Sequence, residues 1–197
     1  IIEVVSGLSL DVFLYDNIFK PLNMIDTDFY VPEDKHDRFV DCYQELVSKS
    51  GNKLKRCHKG GEDIFSKKRN FLSGGGGLCS TLADYANFCQ MILNEGYFDG
   101  KQLLSPITVR FMRENHLPNN QTMNEMGDDN FSEVRYDGAG FGLGFSSLID
   151  PVKSMSPLSL GSISWGGMAS TFFWIDPQEN LFAILLTQLI PSGRYPI

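Results

Sequence analysis

The chain has 197 residues, of which 42% are hydrophobic and 21% are charged, a composition typical of a globular domain with a sizeable core. Its formal net charge of −7 argues against nucleic acid as a partner, because phosphate binding needs a basic face. The chain contains no run of 18 apolar residues, so we expect no membrane span.

The first twenty residues carry an apolar stripe that predicts helix, with a break at residues 6–7 where Ser is followed by Gly. Pro21 predicts that the second helix ends at Lys20. The stripe begins at once, without Met or a basic leader, so we expect the chain to start within a longer protein. Residues 29–72 are polar and predict loops, with one strand at 39–43.

Two further helices are predicted in the middle of the chain. The first has Thr81 as its N-cap and Asp84 at the third helical position, a capping-box pattern with Asp in place of Glu or Gln, and Gly96 closes it. The second begins with Pro106, which suits the first helical position because its missing N–H has no partner there anyway. The polar residues 118–138 predict a flexible loop.

The C-terminal part of the chain predicts a sheet. Its strands are a Gly-rich one at 140–146, a short one at 162–165 and two strong ones at 171–175 and 181–186. Residues 176–180 join the last two strands as a hairpin. Because the last strand is apolar on both faces, we expect helices on both sides of the sheet. We also expect an exposed apolar patch on this strand unless another segment covers it.

Cysteine and histidine usage gives no sign of a metal or redox centre. No C-x-x-C pair occurs, which disfavours zinc ribbons and thioredoxin-like sites. Cys79 and Cys89 have apolar neighbours in the sequence and predict small core residues. The cysteine count is compatible with a reducing, cytoplasmic compartment but does not establish one. We expect the three histidines to lie on the surface or in loops rather than to bind metal, namely His36, His58 and His116.

Three segments in this order resemble one protein family: residues 18–29, residues 73–85 with four consecutive glycines, and residues 165–167 before two antiparallel strands. Together they are similar to class C β-lactamases and the related carboxylesterases and D-amino-acid peptidases. The resemblance implies a β-lactamase/transpeptidase-like α/β fold, an antiparallel sheet with helices on both faces. The chain is then the C-terminal portion of one such domain. Residues 1–72 form its helical and loop part, and residues 73–197 supply helices and the C-terminal strands.

The family's reaction is acyl transfer through a serine ester, and the resemblance assigns roles in it. A Ser-x-x-Lys motif supplies the nucleophile and a Tyr-x-Asn motif the base, while a third motif lies at a sheet edge. Here the third motif is Trp165, Gly166 and Gly167, which line the acyl site, and the backbone N–H of Met168 donates to the oxyanion hole. The alternative is that the two glycines only form a strand-end turn. The resemblance places the Ser, Lys and Tyr upstream of Ile1, so we expect this chain alone to be inactive.

The first residue of the third motif bears on the substrate. β-Lactamases and transpeptidases usually carry Lys there, which helps to hold a carboxylate, whereas the indole of Trp165 offers only an N–H donor and a large apolar face. We therefore expect the complete protein to be an esterase that acts on small carboxylic esters, with no metal and no cofactor. Tyr136 and Phe141 are candidates to line the substrate cleft, with an ordinary core or loop role as the alternative.

Other functions stay open. Within the family, the alternative is a β-lactamase or D-Ala-D-Ala carboxypeptidase; outside enzymes, it is a non-catalytic β-lactamase-like binding or scaffold protein. Literal matches to the two missing motifs occur at residues 50–53, 15–17 and 85–87. We assign none of them a catalytic role, because the first contains poor helix formers and the other two lie within predicted helices. The expected partners are a small ester and the remainder of the polypeptide, or another chain, that completes the fold.

Overall fold

A computed structural model of the chain describes residues 1–46, 53–59, 64–126 and 136–192. The described residues form two compact units that interleave along the sequence. The first unit comprises described residues of 1–88 together with 168–170 and 186–191. The second comprises described residues of 89–167 and 171–185, and Ser192. None of the described helices has the length and apolar character that crossing a bilayer requires.

Short helices open the first unit. These are α1 (Ile2–Ser6), α2 (Leu10–Leu14) and one π turn (Tyr15–Phe19). The predicted break after Ser6 is confirmed: Gly7 adopts a left-handed φ of 71° and its N–H caps α1 at the Glu3 carbonyl. The predicted end at Lys20 is also confirmed, since Lys20 is the C-cap of the π turn.

A three-stranded sheet lies in the same unit. It has the order β10–β1–β2, with β1 at Cys42–Leu46, β2 at Lys53–His58 and β10 at Leu189–Ile190. The first two strands pair antiparallel, and β1 pairs parallel with β10. The strand predicted at 39–43 therefore starts too early. The residues before β1 form a 3-10 turn at Glu33–Arg38, and the Phe39 N–H caps this turn by donating to the His36 carbonyl.

The helix predicted after Thr81 is α3 (Leu82–Leu93). Its N-cap is confirmed, because the Asp84 N–H donates to Thr81 Oγ1 at 3.2 Å. The second half of the predicted capping box is wrong. The buried Asp84 carboxylate instead accepts from the Asp26 N–H and the Thr27 hydroxyl, both at 2.7 Å. A tertiary contact has replaced the local one, and it ties the start of α3 to the loop after the π turn.

All four cysteines are free thiols. Cys89 on α3 is fully buried as predicted, and burial raises the pKa of its thiol to about 12. The prediction for Cys79 is wrong: it is only half-buried, in an isolated bridge with Asp28, and Cys42 on β1 is the other buried thiol.

The second unit contains small elements before its main sheet. They are β3 (Tyr97–Phe98), β4 (Lys101–Gln102), α4 (Pro106–Arg113), a 3-10 turn (Pro118–Asn120) and α5 (Met123–Met126). Helix α4 begins as predicted, with Pro106 first and the Ser105 hydroxyl accepting from the Thr108 N–H. The loop predicted at 118–138 is wrong for the residues of the 3-10 turn and of α5, which are helical. Residues 127–135 lie outside the described residues.

The main sheet is antiparallel, as predicted. Its order is β5 (Ala139–Phe141), β6 (Ser146–Leu148), β7 (Ile163–Gly166), β8 (Phe172–Asp176) and β9 (Leu181–Leu185). The single Gly-rich strand predicted at 140–146 is in fact the hairpin of β5 and β6. The glycines mark the turn, because Gly144 has a φ of 102°, which L side chains rarely adopt.

Burial across the sheet follows the strand alternation. On β8, Phe173 and Ile175 are buried, while Trp174 on the opposite face is only half-buried. On β9, Leu181 and Leu185 are 40% and 41% exposed, which agrees with the expected apolar patch.

Candidate functional site

The end of β7 has a backbone edge that β6 does not cover. Among the described residues, β6 pairs with Ile163 and Ser164 only. On the other side, β8 continues the pairing to Gly166, opposite Phe172, and the Gly167 N–H donates to the Thr171 carbonyl at 2.9 Å. Because hydrogen-bonded and non-hydrogen-bonded pairs alternate in an antiparallel ladder, the backbone groups of Gly166 point away from β8. At the Trp-Gly-Gly segment, the side of β7 facing away from β8 therefore has backbone groups that neither β6 nor β8 pairs with.

The glycine at 167 has a packing reason of its own. A Cβ built on it would lie 2.5 Å from Thr171 Oγ1, and one built on Gly166 would lie 3.2 Å from the Thr171 carbonyl oxygen. A side chain at 167 therefore collides with the Thr171 hydroxyl just before β8. This contact is a reason for glycine at 167 that does not involve a substrate. It supports the alternative in which the two glycines only form a strand-end turn.

Trp165 is the centre of an aromatic cluster that also contains Tyr136 and Phe141. The ring of Tyr136 stacks on the indole with a centroid separation of 5.6 Å and an interplanar angle of 9°. Phe141 meets the indole edge-on at 5.0 Å and 67°, and both geometries are favourable for aromatic pairs. The structure therefore brings together three of the residues that the sequence singles out separately. Their role towards a substrate stays a prediction.

Asn115 holds Phe141 in this cluster, and no motif in the sequence points to it. Its Oδ1 accepts from the Phe141 N–H at 3.0 Å, and its Nδ2 donates to the Gln121 carbonyl at 2.9 Å. The neighbouring His116 N–H donates to the Phe141 carbonyl at 2.8 Å. Gly140 makes room for this arrangement, since a Cβ there would overlap the Asn115 side chain. Such a contact between distant segments leaves no local pattern in the sequence.

Met168 directly follows Gly167 in the chain, and its side chain is 63% exposed. Among the described residues, no acceptor is found for its backbone N–H. The predicted oxyanion donor is thus not committed to another described partner. Its catalytic role stays a prediction.

The literal matches to the missing motifs have structural roles where they are described. Asn17 donates to the Phe13 carbonyl and Asn87 to the Leu22 carbonyl, at 2.8 and 2.9 Å. The match at 50–53 lies outside the described residues except for Lys53.

Two of the histidines bond backbone carbonyls: His36 Nε2 to Val31 and His116 Nε2 to Phe111. Over the described ranges, no group of three or more His, Cys, Asp or Glu side chains is placed to hold a metal ion.

Comparison with known sequences gives consistent matches along the whole chain. The sequence model of the family described as Beta-lactamase matches residues 1–195. Protein Rv1367c of Mycobacterium tuberculosis (strain ATCC 25618 / H37Rv) is 32% identical over 195 residues, covering 98% of this chain and 46% of the relative. Lovastatin esterase of Penicillium rubens is 26% identical over 206 residues, covering 96% of this chain and 48% of the relative.

Solved structures show the same partial overlap. EstCE1, described as a hydrolase with promiscuous acyltransferase activity, matches with a TM-score of 0.75 at 23% identity, over 98% of this chain and 50% of its own. Simvastatin synthase (LovD) from Aspergillus terreus matches with a TM-score of 0.73 at 23% identity, over 97% of this chain and 48% of its own. The chain spans about half the length of the relatives that it matches.

Proposed function

The chain belongs to the β-lactamase family, and from this premise we propose that the complete protein is a serine hydrolase that acts on small carboxylic esters. The family match and the structural likeness confirm the predicted resemblance and the β-lactamase/transpeptidase-like mixed α/β fold. The esterase activity rests on the site. A relative named lovastatin esterase and a structural neighbour named as a hydrolase are in keeping with it.

The aromatic cluster is the observation that favours an ester substrate. At the strand end where a penicillin- or peptide-binding relative is expected to present a cation, this chain presents Trp165, held by Tyr136 and Phe141. An indole cannot form an ion pair with a carboxylate, while its faces and those of its two neighbours favour apolar groups. A neutral ester with an apolar acyl or aryl part suits this wall better than an anionic β-lactam.

The reaction proposed is acyl transfer in two steps. A serine hydroxyl gives its proton to the general base and attacks the ester carbonyl, so that a new acyl–oxygen bond to serine forms. The bond to the alcohol then breaks, and the protonated base, now the general acid, gives the proton to the leaving alcohol. Water then attacks the acyl-enzyme, releases the carboxylic acid and restores the serine. In both steps the carbonyl oxygen becomes an oxyanion, and the Met168 N–H is the donor we propose for it. The proposal places the Ser, the Lys and the Tyr base in the part of the protein outside these 197 residues.

A direct comparison of two substrates tests the proposal. We expect the complete protein to hydrolyse p-nitrophenyl butyrate with a kcat/KM at least about tenfold above that for nitrocefin, a difference of about 1.4 kcal/mol in transition-state stabilisation. We also expect a fluorophosphonate probe to label one serine. The 197-residue chain, assayed in parallel, should show neither activity nor labelling.

Two outcomes contradict the proposal in different ways. Faster cleavage of nitrocefin, or of a D-Ala-D-Ala peptide, assigns the protein to the β-lactamase or carboxypeptidase alternative. Absence of probe labelling in a folded complete protein assigns it to the non-catalytic scaffold alternative.

A further inference from the structure

A cavity of about 180 Å³ lies against the main sheet of the second unit. It is lined by residues of β5 to β8 and, from the loop between β6 and β7, by Ser154, Ser156 and Leu158. This cavity is distinct from the strand edge at Gly166, but it shares residues with the surroundings of that edge.

Three wall residues connect the cavity to the candidate site. Tyr136 lines the cavity and at the same time stacks on Trp165. Ser164 immediately precedes Trp165 on β7, and Phe172 is the cross-strand partner of Gly166. None of Trp165, Gly166 and Gly167 lines the cavity. The cavity adjoins this segment through its three neighbours Tyr136, Ser164 and Phe172, so a group bound beside Trp165 can extend into it.

The wall is suited to an apolar group. Ala139, Leu148, Leu158 and Phe172 supply apolar surface. The hydroxyls of Ser146 and Ser164 satisfy each other at 2.7 Å, and Ser154 Oγ donates to the Pro151 carbonyl at 3.3 Å. Because these three hydroxyls already have protein partners, they do not require a polar ligand. The wall also contains the Asp137 carboxylate, which accepts from Asn124 Nδ2 at 2.7 Å, and the buried hydroxyl of Ser162, for which no partner is found among the described residues. The wall is therefore mainly apolar and offers a bound group one unpartnered hydroxyl.

We propose that this cavity receives the acyl chain of the ester and limits its length to about six carbons. This inference rests on the proposed esterase function. The acyl group, unlike the alcohol, stays bonded to the enzyme through both steps, so a pocket beside the strand end can act in both. A cavity of about 150 Å³ holds a benzene ring, which indicates that butanoyl, hexanoyl and benzoyl groups fit this one and that a decanoyl group does not.

A chain-length series on the complete protein tests the inference. The substrates are p-nitrophenyl acetate, butyrate, hexanoate and decanoate, which share one leaving group. Each methylene transferred from water into an apolar cavity is expected to raise kcat/KM up to about fourfold. We therefore expect kcat/KM to rise from acetate to hexanoate and to fall at decanoate.

Substitutions in the cavity wall should move this optimum. Leu158→Phe or Ala139→Val fills the cavity, so the optimum should shift to acetate or butyrate, whereas Leu158→Ala should extend it towards decanoate. Leu160 belongs to the same loop, is 57% exposed and does not line the cavity. Leu160→Phe and Leu160→Ala are therefore matched controls that should keep the wild-type profile. Thermal unfolding of each variant identifies any that fail to fold, and the filling and enlarging variants provide independent readouts.

The outcomes separate the inference from the function beneath it. If no ester is cleaved and no serine is labelled, both the esterase proposal and the cavity assignment fail. If esters are cleaved but folded variants at 158 and 139 keep the wild-type chain-length profile, the esterase stands and the cavity assignment is wrong. The assignment is also wrong if these variants change selectivity only in a series of acetates of ethanol, butanol and hexanol, because the cavity then binds the alcohol.

Discussion

Trp165 makes two aromatic contacts of different geometry, and replacing it tests whether the cluster serves the substrate. Each aromatic pair is worth roughly 0.5–1.5 kcal/mol beyond its buried area. We expect Trp165→Ala in the complete protein to lower kcat/KM on p-nitrophenyl butyrate about tenfold or more, and Trp165→Phe to lower it less. Trp174 on β8 is half-buried and is not part of the cluster. Equal losses in Trp165→Ala and Trp174→Ala would show a general loss of stability instead.

Asp26 shows how charges stabilise a loop of the first unit. Its carboxylate accepts from Arg38 Nη1 at 2.9 Å and from Lys35 Nζ at 2.6 Å, and these hydrogen bonds lower its pKa to about 2. A depressed folded-state pKa contributes stability above the unfolded value, near 3.9, that is lost as the pH falls towards 2. Because the Arg38 side chain is half exposed, we expect about 1 kcal/mol at most.

Urea unfolding at pH 5 and pH 2.5 measures this contribution. The pH dependence should be smaller in Asp26→Asn than in the wild type. Asp99→Asn, which changes an exposed carboxylate in the turn between β3 and β4, is the matched control and should leave the wild-type dependence intact. An unchanged pH dependence in Asp26→Asn would contradict the assignment.

At the scale of single elements, β5 depends on the contact between Gly140 and Asn115. A Cβ at position 140 would displace the Asn115 side chain, which accepts the Phe141 N–H and donates to the Gln121 carbonyl. We expect Gly140→Ala to lower the free energy of unfolding by about 1–3 kcal/mol, because two partners lose their hydrogen bonds. Denaturant unfolding measures this loss.

Two further variants sharpen that measurement. Gly74→Ala is the matched control: a Cβ there meets nothing within 4 Å, so we expect a change within about 0.5 kcal/mol. The double variant Gly140→Ala with Asn115→Ala should lose less unfolding free energy than the two single variants together, because Ala at 115 removes the side chain with which Ala at 140 collides. Strict additivity would mean that the two residues do not interact.

Elements whose signals are local can be predicted from the sequence. The N-cap at Thr81 and the Pro at position 106 need only neighbouring residues, and both are confirmed. The Gly-rich run at 140–146 predicts one strand, but the chain turns at Gly144, which has a positive φ, and the run is a hairpin. For the candidate site, too, only residues with a local signal can be predicted. The Trp-Gly-Gly motif points to Trp165, whereas nothing local points to Asn115, because its bond to Phe141 joins residues 26 positions apart.

At the scale of the whole molecule, the fold class was predictable and the composition of the units was not. Three segments in a characteristic order indicate the family, which the match over residues 1–195 confirms. Nothing in residues 168–170 or 186–191 indicates that they join the first unit, because short strand partners and turns leave weak patterns. The division of one domain into parts at 1–72 and 73–197 stays a prediction.

The parallel pairing of β1 with β10 has a consequence for synthesis of the protein. Tyr43 donates its N–H to the carbonyl of Gln188, so most of the chain must leave the ribosome before β1 gains this neighbour. At a translation rate of about 5–20 residues per second, the delay is on the order of ten seconds. During that interval one edge of β1 is open to other nascent chains, and chaperone binding there would protect the protein while it is being made.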